Sequence, residues 1–110
     1  MRIISGYLKG KSINFVKNLK TRPLKDSVRE NIFNILKHSN LINVQIENAE
    51  ILDLYSGVGS FGIECLSRGV KKVTFVEYDI KALKILKNNL INLSIIKKTD
   101  VFSGSVKQAL

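Results

Sequence analysis

The fold is decided by residues 51–62, which read Ile51-Leu-Asp-Leu-Tyr-Ser-Gly-Val-Gly-Ser-Phe-Gly62. A short apolar run leads here into a glycine turn, in which Gly57, Gly59 and Gly62 have the G-x-G-x-x-G spacing. Glu77 follows Gly57 by 20 positions, at the end of a second apolar run. The spacing alone is a weak signal, but strand, glycine turn, helix, second strand and terminal acid together predict a loop that binds a nucleoside or nucleotide.

The segments around this loop predict an α/β fold. We expect strands at 49–54 and 72–77 and a third strand within 94–100. The helices expected between and after them cover 59–68, closed by Gly69, then a segment capped by Asp79, and the start of a helix at 105–110. The second helix should direct Ile80, Leu83, Leu86 and Leu90 to one side. This order is that of the cofactor-binding half of a doubly wound parallel sheet, with strand 49–54 in a central position and covered on both faces.

The first 48 residues predict a separate basic extension. Short β-prone stretches between residues 3 and 15, broken by Gly6 and Gly10, favour a basic hairpin. A loop around Pro23 follows, and Ser27-Val-Arg-Glu30 has the form of a capping box. The helix that it begins should bury Val28, Ile32, Ile35 and Leu36 and end near His38. We therefore divide the chain into an extension, 1–48, and a cofactor-binding half, 49–110.

Charge indicates the partner. The 110 residues carry 18 basic and 9 acidic side chains, a net charge of +9, which favours nucleic acid, although lysine-rich usage can also reflect a composition bias. Residues 1–48 hold nine basic and three acidic side chains, and residues 49–110 hold nine and six. The extension is thus the expected polyanion contact. No run approaches the roughly 18 apolar residues of a membrane span, so we expect no membrane contact and a cytoplasmic location. The one cysteine, Cys65, predicts a core residue.

The chemistry of the loop narrows the ligand. Glycine lets the backbone approach a ligand closely, and a carboxylate at the end of the second strand, Glu77, can accept ribose hydroxyls. Asp53, just ahead of the glycines, would repel a pyrophosphate but suits a ligand with a cationic group, such as S-adenosylmethionine. Three alternatives stay open: an NAD-dependent oxidoreductase fragment, a turn-capping role for Asp53, and an ordinary strand-end acid at Glu77.

The stretch Asp53-Leu-Tyr-Ser-Gly-Val-Gly59, together with Glu77, resembles class I S-adenosylmethionine-dependent methyltransferases. The N-terminal motifs resemble one family among them, the RsmD family, which methylates a guanine N2 of small-subunit (16S) ribosomal RNA. These motifs are Met1-Arg-Ile-Ile-Ser-Gly6, Lys9-Gly-Lys11, Thr21-Arg-Pro23 and Val28-Arg-Glu-Asn-Ile-Phe-Asn-Ile-Leu36. The resemblance runs from Met1 to about Asp100.

The resemblance implies roles for individual residues. The methionine end of S-adenosylmethionine would be held by Asp53, Ser56, Gly57 and Gly59, the ribose by Glu77 and the adenine by Tyr78 and Asp100. Asp100 could equally be a turn acid after the third strand. The ribosomal RNA, or a small-subunit assembly particle, would be contacted by Arg2, Lys9, Lys11, Arg22 and Arg29. Methyl transfer to an amine is an in-line displacement that needs an oriented amine and no metal.

One family motif does not occur in the sequence. Members of the family carry Asp or Asn followed by Pro-Pro-Tyr, which grips the target amine, whereas this sequence has a single proline, Pro23. We therefore assign no catalytic residue and expect an incomplete form of the enzyme, from a truncated gene, a split gene or an incomplete record. A second polypeptide carrying the missing half is one expected partner. The alternative is a non-catalytic RNA-binding or cofactor-binding fragment.

Overall fold

A parallel three-stranded sheet forms the centre of the molecule, for which a computed structural model describes residues 1–15, 30–35 and 46–110. Its strands are β1 (Glu50–Leu54), β2 (Lys72–Glu77) and β3 (Thr99–Ser103), in the order β1-β2-β3. Four helices accompany it: α1, described over residues 30–35, α2 (Ser60–Ser67), α3 (Ile80–Asn92) and α4 (Val106–Ala109). The β-α-β-α-β order and the parallel pairing confirm the predicted fold class.

The long helices cover one face of the sheet. Both crossovers run in the same direction along the sheet, and right-handed crossovers then place α2 and α3 on the same face. A Cβ at Gly62 of α2 would overlap the ring of Phe75 in β2, so only glycine lets the helix lie this close. On the opposite face, Leu52 is 50% exposed and Phe102 39% exposed. Within the described ranges β1 is an edge strand, and only one of its faces is covered, which corrects the expectation of cover on both faces.

Helix α3 begins where predicted, and Leu86 and Leu90 are buried as expected, but Ile80 is not. Asp79 caps it, with its Oδ2 accepting the backbone N–H of Ala82 at 2.8 Å. Ile80 was expected on the apolar side and is 80% exposed, because it lies about 200° around the helix from Ala82. The buried positions follow a spacing of three and four residues and are Ala82, Leu86, Asn89 and Leu90.

The third strand lies later in the chain than predicted. Residues Ile96–Lys98 form a 3-10 helix, and β3 follows it as Thr99–Ser103 instead of lying within 94–100. The apolar pair Ile95 and Ile96 is typical of a strand, but Ile95 fills the core at the end of α3 while Ile96 is exposed. After β3, Ser105 caps α4 through a capping box with Gln108, so the helix start predicted at 105 is confirmed.

The N-terminal segment doubles back as the hairpin prediction requires. Arg2 and Ser12 form an antiparallel bridge, and the N–H of Ile3 donates to the carbonyl of Lys11 at 2.9 Å. Gly6 has φ +89°, and a Cβ there would overlap the carbonyl of Ser67 at the end of α2. The hairpin joins the main core through three buried side chains, Ile3, Leu8 and Ile13.

Helix α1 packs through an aromatic residue. Phe33 is 1% exposed and stacks on Phe61 of α2 with ring centroids 5.1 Å apart, and the Arg68 guanidinium carbon lies 4.2 Å from its centroid. Ile35, expected on the buried face, is 54% exposed, so that prediction is wrong within residues 30–35. The predicted capping box at Ser27, the loop around Pro23 and the helix end near His38 lie outside the described residues.

Two further sequence features are settled by the described residues. Cys65 is a free thiol, 2% exposed, and burial raises its pKa to about 12, so it is a core residue as predicted. No helix in residues 1–15, 30–35 and 46–110 is both long and apolar enough to cross a membrane.

Candidate functional site

The glycine loop joins the end of β1 to the start of α2. The backbone enters it through Tyr55, a non-glycine residue with φ +55°, and Gly57 and Gly59 follow with φ +56° and +91°. Ser56 ties the loop to β2, because both its N–H and its hydroxyl donate to the carbonyl of Val76, at 3.0 and 3.3 Å. The loop is therefore held at the carboxyl end of the sheet, where parallel α/β folds bind their ligands.

The carboxylate of Glu77 joins this loop to the start of α3. Its Oε1 accepts the N–H of Gly57 at 2.8 Å, and its Oε2 accepts the N–H groups of Tyr78 and Asp79 at 3.0 and 2.9 Å. Glu77 is 8% exposed. A carboxylate has about four acceptor positions, so three bonds leave room for about one further donor. These bonds give Glu77 a structural role at the end of β2, and the alternative of an ordinary strand-end acid stays open.

Asp53 is a partly buried carboxylate at the other side of the loop. Its Oδ2 accepts the N–H of Gly62 in the first turn of α2 at 3.2 Å. The pKa of Asp53 is raised to about 6, mainly because the carboxyl is partly buried; the bond from Gly62 lowers this pKa, and the nearby charge of Glu77 raises it. The bond to Gly62 shows that turn capping is part of the role of Asp53.

The three motif glycines direct their N–H groups into the protein. Gly57 donates to Glu77, Gly59 donates to the carbonyl of Ser56 at 2.9 Å, and Gly62 donates to Asp53. In a dinucleotide site such groups face a pyrophosphate. Here two carboxylates use two of them and add negative charge at the helix start. This arrangement disfavours a pyrophosphate and favours a ligand with a cationic group.

Two other predicted cofactor contacts fall in different places. Tyr78 follows Glu77 directly and is 68% exposed, so its ring is free to cover a bound ligand. Asp100 lies in β3 opposite Thr74, whereas Glu77 lies opposite Ser103. Three residues of strand separate the two acids by about 10 Å along the sheet.

Asp100 forms an ion pair with Lys72, away from the glycine loop. Its Oδ2 lies 2.7 Å from Nζ of Lys72, and this hydrogen bond raises the pKa of the lysine. The structure therefore does not bring Asp100 to the loop. Asp100 was expected just after the third strand, at the carboxyl end of the sheet. It is instead the second residue of β3, near the other end of the sheet, and the expected adenine contact does not fit this position.

The predicted RNA contacts lie on the hairpin, at the far end of α2. Lys9 and Lys11 are exposed, and Arg2 donates from Nη1 to the carbonyl of Gly10 at 2.7 Å. The hairpin turn contacts the last turn of α2, where the N–H of Tyr7 donates to the carbonyl of Ser67 at 2.9 Å. The glycine loop adjoins the first turn of the same helix. Arg22 and Arg29 lie outside the described residues.

Sequence reasoning did not find two buried polar residues that hold these parts together. Glu64 is fully buried in α2, accepts the N–H groups of Ile4 and Ser5 at 2.9 and 3.0 Å and pairs with Arg68 at 2.9 Å. Asn89 is 2% exposed in α3 and bonds to the hairpin strand and to the glycine loop. The available signal was the helical period, which places both side chains among apolar neighbours.

Comparisons with known proteins identify a family and several relatives of this chain. The family model described as conserved hypothetical protein 95 matches residues 1–110. The Bacillus subtilis protein YlbH is 40% identical over 110 residues, all of this chain and 56% of YlbH. Ribosomal RNA small subunit methyltransferase D of Haemophilus influenzae is 40% identical over 93 residues, 84% of this chain and 45% of that protein.

A solved structure gives the same picture. The yhhF protein from Escherichia coli superposes with a TM-score of 0.82 at 28% identity, over 99% of this chain and 55% of that one. The chain thus spans about half the length of the relatives that it matches.

Proposed function

Since this chain belongs to the family described as conserved hypothetical protein 95, we propose that its glycine loop binds S-adenosylmethionine. We further propose that the protein acts in methylation of a guanine N2 of small-subunit (16S) ribosomal RNA. The name of the Haemophilus influenzae relative supports the ribosomal RNA substrate.

One observation carries the cofactor proposal: the loop presents two carboxylates where a dinucleotide site presents free N–H groups. S-adenosylmethionine has an ammonium and a sulfonium, which Asp53 would attract at the loop, beside Ser56 and the backbone of Gly57 and Gly59. Glu77 would accept one ribose hydroxyl, given the three N–H groups that it already binds. Tyr78 would lie against the adenine. When bound, the cofactor supplies an electrophilic methyl group.

The proposal gives the two parts of the chain different roles, with residues 49–110 binding the cofactor and residues 1–48 contacting RNA. Helix α2 has eight residues and separates the hairpin turn from the glycine loop by about 12 Å. Lys9 and Lys11 would therefore contact phosphates away from the methyl group, and they would orient the RNA without selecting the target base.

A second candidate is a chain that binds cofactor or RNA without turnover. The chain spans about half the length of its matched relatives, so binding by these 110 residues and turnover by a whole protein are separate questions. Transfer of tritiated methyl from S-adenosylmethionine to unmodified 16S ribosomal RNA separates the two candidates. Incorporation by the 110-residue chain would show that it turns over, and binding without incorporation would support the second candidate or a need for a partner polypeptide.

Isothermal titration at pH 8 tests the cofactor proposal directly. We expect saturable binding of S-adenosylhomocysteine, which keeps the ammonium, and at least tenfold weaker binding of NADH. Asp53→Asn should weaken S-adenosylhomocysteine binding at least tenfold, because the amide can still accept the Gly62 N–H but carries no charge. Asp100→Asn is the matched control, and it should change affinity less than twofold. Equal or tighter NADH binding would contradict the proposal.

A further inference from the structure

Asn89 connects the N-terminal segment to the glycine loop through a single side chain. It is 2% exposed, on the third turn of α3. Its Oδ1 accepts the N–H of Asn14 at 2.9 Å, and its Nδ2 donates to the carbonyls of Asn14 at 2.9 Å and Val58 at 3.1 Å. Val58 lies between Gly57 and Gly59 in the loop, so the amide joins segments that are 44 residues apart in sequence.

An amide is the side chain that this position requires. The site offers one backbone donor and two backbone acceptors, and asparagine matches them with one carbonyl and one two-proton amine. A carboxylate of the same shape would direct an oxygen at two carbonyl oxygens. An apolar side chain would leave three backbone groups without these partners, among them the carbonyl of Val58 in a buried bond.

From this geometry we infer that Asn89 is a positioning residue for the methyl-donor site. The claim rests on the proposed function, in which the loop binds S-adenosylmethionine. By holding the Val58 carbonyl, Asn89 fixes the backbone between Gly57 and Gly59. The same amide holds Asn14, which leads toward the stretch 16–29. Asn89 on α3 therefore fixes the position of the glycine loop relative to the N-terminal segment.

The opposite end of the hairpin supplies a matched control. Ser67 is 2% exposed, and its hydroxyl accepts the N–H of Leu8 at 3.0 Å and donates to the carbonyl of Ser5 at 2.5 Å. Ser67→Ala removes buried bonds to the same N-terminal segment but none to the glycine loop. Asn89→Asp removes bonds to both. A merely structural role for Asn89 predicts similar behaviour of the two variants.

Two measurements on the full 110-residue chain test the inference. Titration with S-adenosylhomocysteine should show at least tenfold weaker binding for Asn89→Asp and a change below threefold for Ser67→Ala. Amide hydrogen exchange should show at least fivefold faster exchange at Gly57 and Gly59 in Asn89→Asp only. If Asn89→Asp does not fold, Asn89→Gln, which keeps both amide groups on a longer stem, takes its place with the same direction of effect.

The outcomes separate this inference from the proposed function. If the unmodified chain shows no binding heat, the cofactor proposal fails, while the exchange rates at Gly57 and Gly59 still decide the role of Asn89. If the unmodified chain binds and the Asn89 and Ser67 variants lose affinity and protection equally, the inference is overturned and the cofactor proposal stands.

Discussion

The side chain of Glu77 accepts the backbone N–H of Gly57 at 2.8 Å, which joins the end of the second strand to the loop that follows the first. The carboxylate that was predicted to accept ribose hydroxyls is thus part of the loop's own structure. Because Glu77 also accepts the N–H groups of Tyr78 and Asp79, one carboxylate fixes two sides of the candidate site. If the loop binds a ligand as proposed, Glu77 couples the stability of the loop to ligand binding.

Glu77→Ala should unfold more readily than the unmodified protein. Three N–H groups lose their side-chain acceptor at a buried position, which we expect to cost about 2–4 kcal/mol of unfolding free energy. Urea denaturation followed by circular dichroism measures it. Glu50→Ala, at an exposed acid on β1, is the control and should change stability by less than about 0.5 kcal/mol. Equal effects would show that the Glu77 bonds contribute little.

Asp53→Asn should stabilise the protein without ligand at neutral pH. The folded-state pKa of about 6 lies above the ordinary value, so above pH 6 the folded chain carries the full cost of the buried charge. As pH falls through 6 the folded chain becomes protonated and the cost decreases, and it disappears below the ordinary pKa of 3.8, where the unfolded chain is protonated as well. The unfolding free energy of the variant relative to the unmodified protein should therefore be larger at pH 7.5 than at pH 4.5, by about 1–2 kcal/mol.

Denaturation at both pH values measures this difference. A difference that is the same at the two pH values would contradict the raised pKa. A variant that gains stability and loses S-adenosylhomocysteine affinity would show that the buried charge is kept for binding.

Glu64→Ala should release the hairpin from α2. The substitution removes the acceptor for Ile4 and Ser5 and leaves Arg68 without its 2.9 Å partner, at an expected cost of about 3–5 kcal/mol. Limited trypsin digestion detects the release as faster cleavage after Lys9 and Lys11. Glu47→Ala, at an exposed acid, should leave the cleavage rate unchanged. Hairpin cleavage at the same rate in both variants would rule out Glu64 as the anchor.

Gly62→Ala should destabilise through contact with Phe75. An added methyl overlaps the ring, and overpacking of this kind costs about 1–3 kcal/mol. Phe75→Leu in the same chain should recover part of the loss. The double variant should therefore lose less stability than the sum of the losses in the two single variants. Thermal unfolding of the four proteins gives the coupling. Strictly additive costs would argue against this contact.

Short sequence patterns predicted the strands and the glycine turn at the centre of the molecule. The features that they did not predict depend on residues far apart in the sequence. The strand 72–77, the Asp79 cap and the glycine turn between β1 and α2 have signatures in residues that are close together in the sequence, and the structure contains all three. The third strand was placed too early because Ile95 and Ile96 resemble strand residues, and this displaced the role expected of Asp100. Glu64 and Asn89 bond to groups 60 and 75 positions away, which no local period encodes.

The most direct test of the account is a chemical-shift map of S-adenosylhomocysteine on the isotopically labelled chain. Residues 53–62 and 77–79 hold the carboxylates and the loop, so we predict that saturable shifts of backbone amides concentrate there and are lost in Asp53→Asn. Amides around Asp100 and at the start of β2 should not move. Saturable shifts centred away from the loop, or no shifts at millimolar ligand in a folded sample, would contradict a methyl-donor site at these residues.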